Sequence, residues 1–205
     1  SVSNIIHRGG TILKSARSTD FKSAEGRKAA FENITKQGID GFVAIGGDGT
    51  FRGATIFSEE FGIPFMGIPG TIDNDLFGTD YTLGFDTAVN TAVDAIDKIR
   101  DTAASHDRLF FIEVMGRDAG HIALWAGMAG GAEAVLLPEE KTDVKDLLSL
   151  LRKGEKNKKT SSIVIVCEGD DAGGATEIAE QVKALDNSFD TRVTVLGHVQ
   201  RGGSP

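Results

Sequence analysis

Two carboxylates stand close together in the segment Thr71-Ile72-Asp73-Asn74-Asp75, which follows a short apolar run. Carboxylates this close can divide two roles, since one can accept a hydroxyl proton while the other orients a substrate or supports a metal. Transfer of a phosphoryl group to an alcohol requires both roles. The structural alternative is an Asx-rich turn, because Asn and Asp favour turns through local hydrogen bonds.

A glycine-rich segment, Ile45-Gly46-Gly47-Asp48-Gly49-Thr50, precedes a helical pattern around Phe51–Glu60. Its glycines let the backbone approach a ligand, and a helix N-terminus favours phosphate. Bare phosphate would repel Asp48, so the functional interpretation of Asp48 is a Mg²⁺ site, whereas the alternative is a helix cap. Both acidic loops follow predicted strands, where the ligand cleft of an open α/β sheet lies.

Several arginines are scattered along the chain, some of them beside glycine or other small residues, and a guanidinium group binds phosphate through paired hydrogen bonds without losing its charge. These arginines are Arg17, Arg108, Arg117, Arg192 and Arg201. Several of them fall at the ends of predicted strands, from where they could converge on a phosphorylated substrate. Taken singly, each is also compatible with a surface ion pair.

The 205-residue chain has a net charge of -8, which argues against binding to nucleic acids or anionic membranes, since both attract basic surfaces. The single cysteine, Cys167, excludes an internal disulfide and suits a reducing compartment. No apolar run approaches the roughly 20 residues that span a bilayer. A cytoplasmic protein is therefore expected.

Short apolar runs alternate with amphipathic patterns, as expected for parallel strands covered on both faces. The predicted strands are Phe42–Ile45, Pro64–Ile68, Leu109–Val114, Ala134–Leu137, Ile163–Cys167 and Val193–Leu196, with a strand-like segment at Asn4–Ile6. Helix caps are expected at Ser23 and at Thr142 or Asp143, and Trp125 and Met128 are expected to pack in the core. The alternation predicts an α/β fold.

Four segments occur in a fixed order: Gly46–Thr50, Pro69–Asp75, Glu113-Val114-Met115-Gly116-Arg117 and Leu196–Pro205. Shorter motifs at residues 7–11 and 15–17 accompany them. Together they resemble the phosphofructokinases over essentially the whole chain. Lipid and NAD kinases can share the Gly-Gly-Asp-Gly turn, but they do not predict the Met-Gly-Arg and His-Val-Gln-Arg segments.

The resemblance implies transfer of the γ-phosphoryl group of ATP to the 1-hydroxyl of fructose 6-phosphate, with Mg²⁺ as cofactor. It makes Asp73 the general base and Asp48 the metal site, and it has Thr71 and Asp75 hold the substrate and metal geometry. The charge on the transferring group would be stabilised by Arg17 and Arg117. The implied ATP-binding residues are Arg17, Ser18, Gly47, Asp48, Gly49 and Thr50. The implied sugar-phosphate residues are Thr71, Asp73, Asp75, Arg108, Met115, Gly116, Arg117, Glu168, Arg192, His198 and Arg201.

The resemblance also implies an oligomer, because Arg108 and Arg192 reach the site of a neighbouring subunit in this family. We expect a homotetramer under allosteric control. The effector site of the bacterial enzymes would map to Arg100, Gly131, Glu133 and Lys159.

Two glycines bear on the phosphoryl donor. Pyrophosphate-using relatives typically carry Asp where this chain has Gly49 and Lys where it has Gly70. The two glycines leave room for a nucleotide, so ATP is favoured over pyrophosphate. A non-catalytic nucleotide-sensing subunit is the alternative from another class, and the loss of Asp73 or Arg117 would have signalled it.

The expected architecture is two doubly wound, largely parallel-sheet lobes with the active site between them. Residues 1–84 are predicted to form an ATP-binding lobe, and residues 85–205 a fructose 6-phosphate-binding lobe that begins with a connecting helix. The family's usual phosphate loop in the first strand–helix turn has no counterpart here, and neither does the segment that completes the sheets. The chain thus resembles an internal fragment with both lobes truncated, which puts its activity in isolation in doubt.

Overall fold

A computed structural model of the chain describes residues 3–104, 108–157 and 162–203. The chain forms two compact units. The N-terminal unit comprises Gly10–Thr71 and Asp75–Leu83, and the C-terminal unit comprises the residues up to Gly9, Ile72–Asn74 and the chain from Gly84 onward. Residues 72–74 therefore belong with the later part of the chain rather than with a lobe spanning 1–84, because Ile72 packs against the apolar core of the C-terminal unit.

The N-terminal unit contains a sheet in the order β1-β2-β3, in which β1 and β2 are parallel. Its elements are a 3₁₀ turn (Asp20–Lys22), α1 (Ala24–Lys36), β1 (Phe42–Gly46), α2 (Asp48–Phe61), β2 (Phe65–Thr71) and, at its boundary, β3 (Leu83–Gly84). Ser23 caps α1 as predicted, since its hydroxyl accepts a hydrogen bond from the Gly26 N–H at 3.0 Å. Gly62, with a φ of 68°, ends α2 in the left-handed region that favours glycine.

One face of the β1–β2 sheet packs against a cluster of phenylalanines. Phe57 is buried and contacts the rings of Phe21 and Phe42, and Phe42 in turn stacks on Phe65. The alternate strand residues Val43, Ile45 and Met66 point to the other face, where they are 60%, 60% and 72% exposed. The expectation that both faces are covered therefore fails for this unit, as far as the described residues go.

The C-terminal unit is built on an all-parallel sheet in the order β5-β6-β4-β7. Its elements are α3 (Phe85–Ala104), β4 (Leu109–Val114), α4 (His121–Ala129), β5 (Ala134–Leu136), α5 (Val144–Lys156), β6 (Ser162–Cys167), α6 (Ala175–Leu185), β7 (Thr191–Val195) and a 3₁₀ helix (Gly197–Arg201). Asp143 rather than Thr142 caps α5, because its carboxylate accepts from the Lys145 N–H.

Alternate residues of the central strands enter two separate cores. Phe110 and Ile112 of β4 pack with α3 and α4, whereas Leu109 and Phe111 pack with α5 and α6 on the opposite face. The continuous apolar run of β4 follows directly from this arrangement, since a strand covered on both faces has no polar side. The doubly wound α/β prediction is confirmed for this unit.

Two expectations are corrected by the fold. Residues 4–6 form a turn rather than a strand, because Asn4 has a left-handed φ of 59° and Ile6 is 92% exposed. Trp125 and Met128 lie on the outer face of α4 and are 51% and 75% exposed, so they are not core residues. Helix α3, the expected connecting helix at the start of the second lobe, packs in the core of the C-terminal unit. Within the described residues, no helix combines the length and apolarity needed to cross a membrane.

Candidate functional site

The glycine-rich segment forms the first turn of α2. Gly47 is the N-cap residue, and the helix begins at Asp48, three residues before the predicted start. A side chain at Gly46 would place its Cβ only 2.4 Å from the Thr50 hydroxyl, whereas a Cβ at Gly49 would meet nothing within 4 Å. This segment therefore offers a helix N-terminus with an open approach at Gly49, which suits an anion.

Asp48 is exposed and lies in this first turn. Its carboxylate pairs with Arg52, at 3.0 Å between Oδ2 and Nη2. No group of three or more His, Cys, Asp or Glu side chains within the described ranges is arranged to hold a metal. One exposed carboxylate beside an anion site still fits Mg²⁺, which commonly takes one or two carboxylates together with substrate phosphates and water.

The other residues predicted for the N-terminal unit lie on its loops. Thr71 is the last residue of β2, and it lies beside Gly47, where an added Cβ would be 3.4 Å from the Thr71 Cβ. Arg17 and Ser18 are exposed before the 3₁₀ turn, and the Ser18 hydroxyl accepts from the Phe21 N–H. Asp75 is exposed. Thr71 and the glycine-rich turn are thus neighbours within this unit.

Asp73 and Arg117 are adjacent in the C-terminal unit. Asp73 is only 6% exposed, and its Oδ2 lies 3.5 Å from Nε of Arg117, whose side chain is largely exposed. The two loops also share an unusual backbone, since Asn74 and Arg117 have φ values of 54° and 53°. Left-handed non-glycine residues are uncommon and cluster at functional sites.

The loop Met115–Gly120 is held by side chains from three other segments. Glu168 accepts from the N–H groups of Gly116 and Arg117, at 3.3 and 2.9 Å. Gln200 accepts from the Met115 N–H at 2.9 Å, and Glu139 accepts from the Gly120 N–H at 2.7 Å. Gly116 must be glycine, because its φ is 146° and a Cβ there would lie 2.4 Å from the Ala119 carbonyl oxygen.

Cys167 lies beneath the same loop at the end of β6. Its fully buried Sγ lies 3.5 Å from the Arg117 carbonyl oxygen and 3.7 Å from that of Ala119. Burial raises the pKa of the Cys167 thiol to about 11. The group is a protonated packing residue rather than a nucleophile.

The burial of Cys167 leads to a first prediction. A disulfide reagent at pH 8 should modify the native protein at least about 100-fold more slowly than the urea-unfolded protein, because thiolate and access are both lacking. Folding stability should also fall as the pH rises from about 9 to about 11, since only the unfolded chain releases the thiol proton there. Rapid native labelling would contradict this account.

The basic side chains predicted for the C-terminal unit fall into two groups, which lie at opposite ends of the strands of its sheet. Arg117, His198 and Arg201 follow the carboxyl ends of strands, whereas Arg108 and Arg192 lie where β4 and β7 begin. The six residues of β4 separate these ends by roughly 20 Å. The predicted arginines therefore do not all converge within one chain.

Arg108 and Arg192 share a carboxylate. Asp190 lies 3.1 Å from Nε of Arg108, and it also pairs with Arg192. Burial opposes ionisation of Asp190, but hydrogen bonding to Arg108 and the charge of Arg192 hold its pKa below the ordinary value. The pair of arginines is thus preassembled, with one anionic partner within the chain.

Three of the four residues predicted for an effector site lie at the end of α3 and after α4. The Arg100 guanidinium donates to the carbonyl oxygens of Gly130 and Gly131. Gly131 has a left-handed φ of 62°, and Glu133 is half-buried just before β5. Lys159 lies outside the described residues.

Sequence reasoning missed three residues that organise these loops, namely Gln200, Glu139 and Asp190. Each acts by holding a backbone N–H or an arginine from a distant part of the chain. Gln200 was visible within the His-Val-Gln-Arg segment, but Glu139 carried no local signal.

The chain belongs to the class of open α/β folds, in which ligands bind beyond the carboxyl ends of the strands, and the N-terminus of a helix at this position suits a phosphate. The chain matches the phosphofructokinase family over residues 1–205. It belongs to that family.

Similar proteins with known names agree. The chain is 57% identical over 205 residues to ATP-dependent 6-phosphofructokinase 2 of Bacteroides thetaiotaomicron, covering 100% of this chain and 63% of that protein. It is 59% identical over 204 residues to ATP-dependent 6-phosphofructokinase 1 of Thermus thermophilus, again covering 63% of the relative. The chain therefore spans less than two thirds of the length of these curated relatives.

Solved structures share the fold. Phosphofructokinase from Saccharomyces cerevisiae matches with a TM-score of 0.91 and 34% identity, over 98% of this chain and 31% of that chain. A pyrophosphate-dependent phosphofructokinase from Marinobacter aquaeolei matches with a TM-score of 0.80 and 25% identity, over 98% of this chain and 54% of that one. A pyrophosphate-dependent relative therefore shares this fold.

Proposed function

We propose that the protein transfers the γ-phosphoryl group of ATP to the 1-hydroxyl of fructose 6-phosphate, which yields fructose 1,6-bisphosphate and releases ADP. The observation that carries the proposal is the contact between buried Asp73 and exposed Arg117. A carboxylate that can take the hydroxyl proton then stands beside a cation that can balance the charge of the transferring group. Membership of the phosphofructokinase family supports the same reaction.

In the proposed mechanism, Asp73 accepts the proton of the sugar 1-hydroxyl while Thr71 and Asp75 orient the reacting groups. Arg117 and Arg17 balance negative charge on the phosphoryl oxygens. Positioning and charge stabilisation provide most of the acceleration in reactions of this class.

The N-terminal unit is proposed to bind the donor. The N–H groups of the turn Gly47, Asp48, Gly49 and Thr50, at the start of α2, would face the ATP phosphates. Arg17 and Ser18, which are exposed in the segment before the 3₁₀ turn, are proposed to contact the same ligand. Asp48 would hold Mg²⁺ after giving up its pairing with Arg52. The metal, when bound, would neutralise charge on the phosphate oxygens.

The C-terminal unit is proposed to bind the sugar phosphate. Met115, Gly116 and Glu168 would contact the sugar, and His198 and Arg201 would bind its 6-phosphate.

Arg108 and Arg192 are proposed to bind substrate in the site of a neighbouring subunit, which is supported by their position at the opposite end of the strands. A homo-oligomer is further supported by the exposed apolar side chains of α4. The proposed reaction supports the proposal that the protein is cytoplasmic.

An effector site is proposed around Arg100, Gly131, Glu133 and Lys159. The hydrogen bonds between Arg100 and the 130–131 backbone support the grouping of its described members.

The reaction is tested by incubating the full-length protein and Mg²⁺ with fructose 6-phosphate and either ATP or pyrophosphate, and measuring fructose 1,6-bisphosphate. Transfer from ATP is the expected result. Higher efficiency with pyrophosphate would contradict the choice of donor. Nucleotide binding without transfer from either donor would favour the non-catalytic nucleotide-sensing subunit.

A second prediction concerns the donor. Gly49→Asp should lower kcat/KM for ATP by about 10–100-fold. The reason is that a carboxylate beside the bound phosphates repels their negative charge, and such repulsion weakens binding by up to several kcal/mol. The fold should persist, since a Cβ at Gly49 meets nothing within 4 Å. Gly49→Ala tests size alone, and Thr55→Asp adds the same charge further along α2. If Gly49→Asp and Thr55→Asp reduce the ATP parameters equally, the turn at Gly49 does not contact the donor.

A further inference from the structure

The 3₁₀ helix Gly197–Arg201 has one buried residue, Gln200, whose side chain is 0% exposed. Its neighbours His198, Val199 and Arg201 are all exposed. The helix is therefore anchored to the unit by a polar amide rather than by an apolar side chain. A glutamine side chain buried at this position calls for an explanation, because buried polar groups normally make hydrogen bonds.

The hydrogen bond of Gln200 leads to the loop that carries Arg117. Its Oε1 accepts from the N–H of Met115 at 2.9 Å. Among the described residues, its Nε2 has no partner. A buried donor without a partner lowers stability, so packing alone would favour leucine or methionine at this position. The acceptor offered to Met115 is what distinguishes glutamine from those residues.

The loop needs such support because its backbone is unusual. Gly116 and Arg117, which follow Met115, have φ values of 146° and 53°. A non-glycine residue at positive φ persists only when the surroundings hold it there. Glu168 holds the N–H groups of Gly116 and Arg117, so Gln200 completes a row of three fixed N–H groups at residues 115–117.

The other end of the connection is also rigid. Leu196 precedes the 3₁₀ helix, donates its N–H to the Glu113 carbonyl oxygen at 3.0 Å, and packs against the core. Gln200 thus joins two segments that leave the same sheet edge after β4 and β7. One segment carries His198 and Arg201, and the other carries Arg117.

We propose that Gln200 is a positioning residue, which fixes the loop at 115–117 relative to the 3₁₀ helix so that sugar phosphate and transferring phosphoryl group are bound in register. This inference rests on the proposed function for its substrate. It adds a role for a side chain that itself touches neither ligand nor reacting atoms.

The test is Gln200→Met in the full-length protein, which keeps side-chain length and removes the acceptor. We expect kcat/KM for fructose 6-phosphate to fall by about 10–100-fold, since small misplacements of reacting groups have effects of this size. The KM for ATP should stay within about two-fold. Gln181→Met is the matched control, because Gln181 bonds only the Ala172 carbonyl on the surface among the described residues.

A structural role would give a different pattern. If Gln200→Met lowered the melting temperature and reduced kcat only in proportion to the folded fraction, with both KM values unchanged, the positioning role would be wrong. Unchanged parameters for fructose 6-phosphate in a folded variant would also overturn it.

Amide hydrogen exchange in the wild-type protein gives a readout that needs neither activity nor a variant. Slow exchange at Met115 is expected, and exchange at the rate of an open loop would contradict the hydrogen bond. If the wild-type protein failed to phosphorylate fructose 6-phosphate, the proposed function would be wrong. Protection of the Met115 amide that is lost in Gln200→Met or Gln200→Leu would still show that Gln200 holds the loop at 115–117.

Discussion

Asp73→Ala is expected to lower kcat for fructose 6-phosphate phosphorylation by about 10²–10⁴-fold, the range that a positioned proton acceptor contributes. The side chain is 6% exposed and lies beside Arg117. Alanine removes the only oxygen atoms through which this residue can take the hydroxyl proton. KM for ATP should change little, because the turn proposed to bind ATP belongs to the other unit.

Two variants separate proton transfer from a general effect of charge. Asp73→Asn keeps the shape but cannot accept a proton readily, so its kcat should fall almost as far as that of Asp73→Ala. Asp94→Ala removes an exposed carboxylate that pairs with Lys98 on α3, and it should retain wild-type turnover. Wild-type turnover in a folded Asp73→Ala protein would show that another group is the base.

The fold of the C-terminal unit was predictable because each central strand is covered on both faces. A run such as Phe110–Ile112 must then be apolar at every position, and the boundaries of β4 agree with the prediction residue for residue. The same argument misjudged the N-terminal unit, where Val43, Ile45 and Met66 are exposed. Apolar character shows that a face can be covered, but it does not show by what.

Residues 4–6 and α4 show the limits of local patterns. Ile5 and Ile6 have high strand propensity, yet no neighbouring strand pairs with them within the described chain, and Asn4 adopts a turn conformation. Trp125 and Met128 share a helical face, but spacing alone does not say which face of α4 meets the sheet. Tertiary packing decides both cases.

The candidate site was predictable in its residue types but not in its connections. Asp73 and Arg117 are distant in sequence, so their contact follows only from the fold. The separation of the arginines into two groups was partly predictable from the sequence. Arg108 precedes its strand whereas Arg117 follows one, and in a parallel sheet these positions lie at opposite ends of the strands. Gln200 stands within the His-Val-Gln-Arg segment and Glu139 in none of the motifs, but the sequence does not show that either side chain binds a backbone N–H group of a distant loop.

Arg117→Ala is expected to reduce kcat by about 10³-fold, because an arginine that balances charge in phosphoryl transfer contributes on the order of 10³–10⁵. The side chain is 68% exposed, so it is free to act on a ligand, and its removal leaves no cavity. Its backbone N–H bonds to Glu168, and alanine retains that bond. Folding should therefore be little affected beyond the extra strain of the φ of 53°.

Arg117→Lys and Arg152→Ala make the test specific. Lysine keeps the charge but loses the planar fork that binds two phosphoryl oxygens at once, so it should recover only part of the lost activity. Arg152 is also an exposed arginine paired with an aspartate, Asp186, and its replacement should leave kcat unchanged. If Arg117→Lys were fully active, charge alone would suffice at this position. If Arg117→Ala raised KM for the sugar phosphate and left kcat intact, Arg117 would bind the ground state, and the phosphoryl-stabilising role would be wrong.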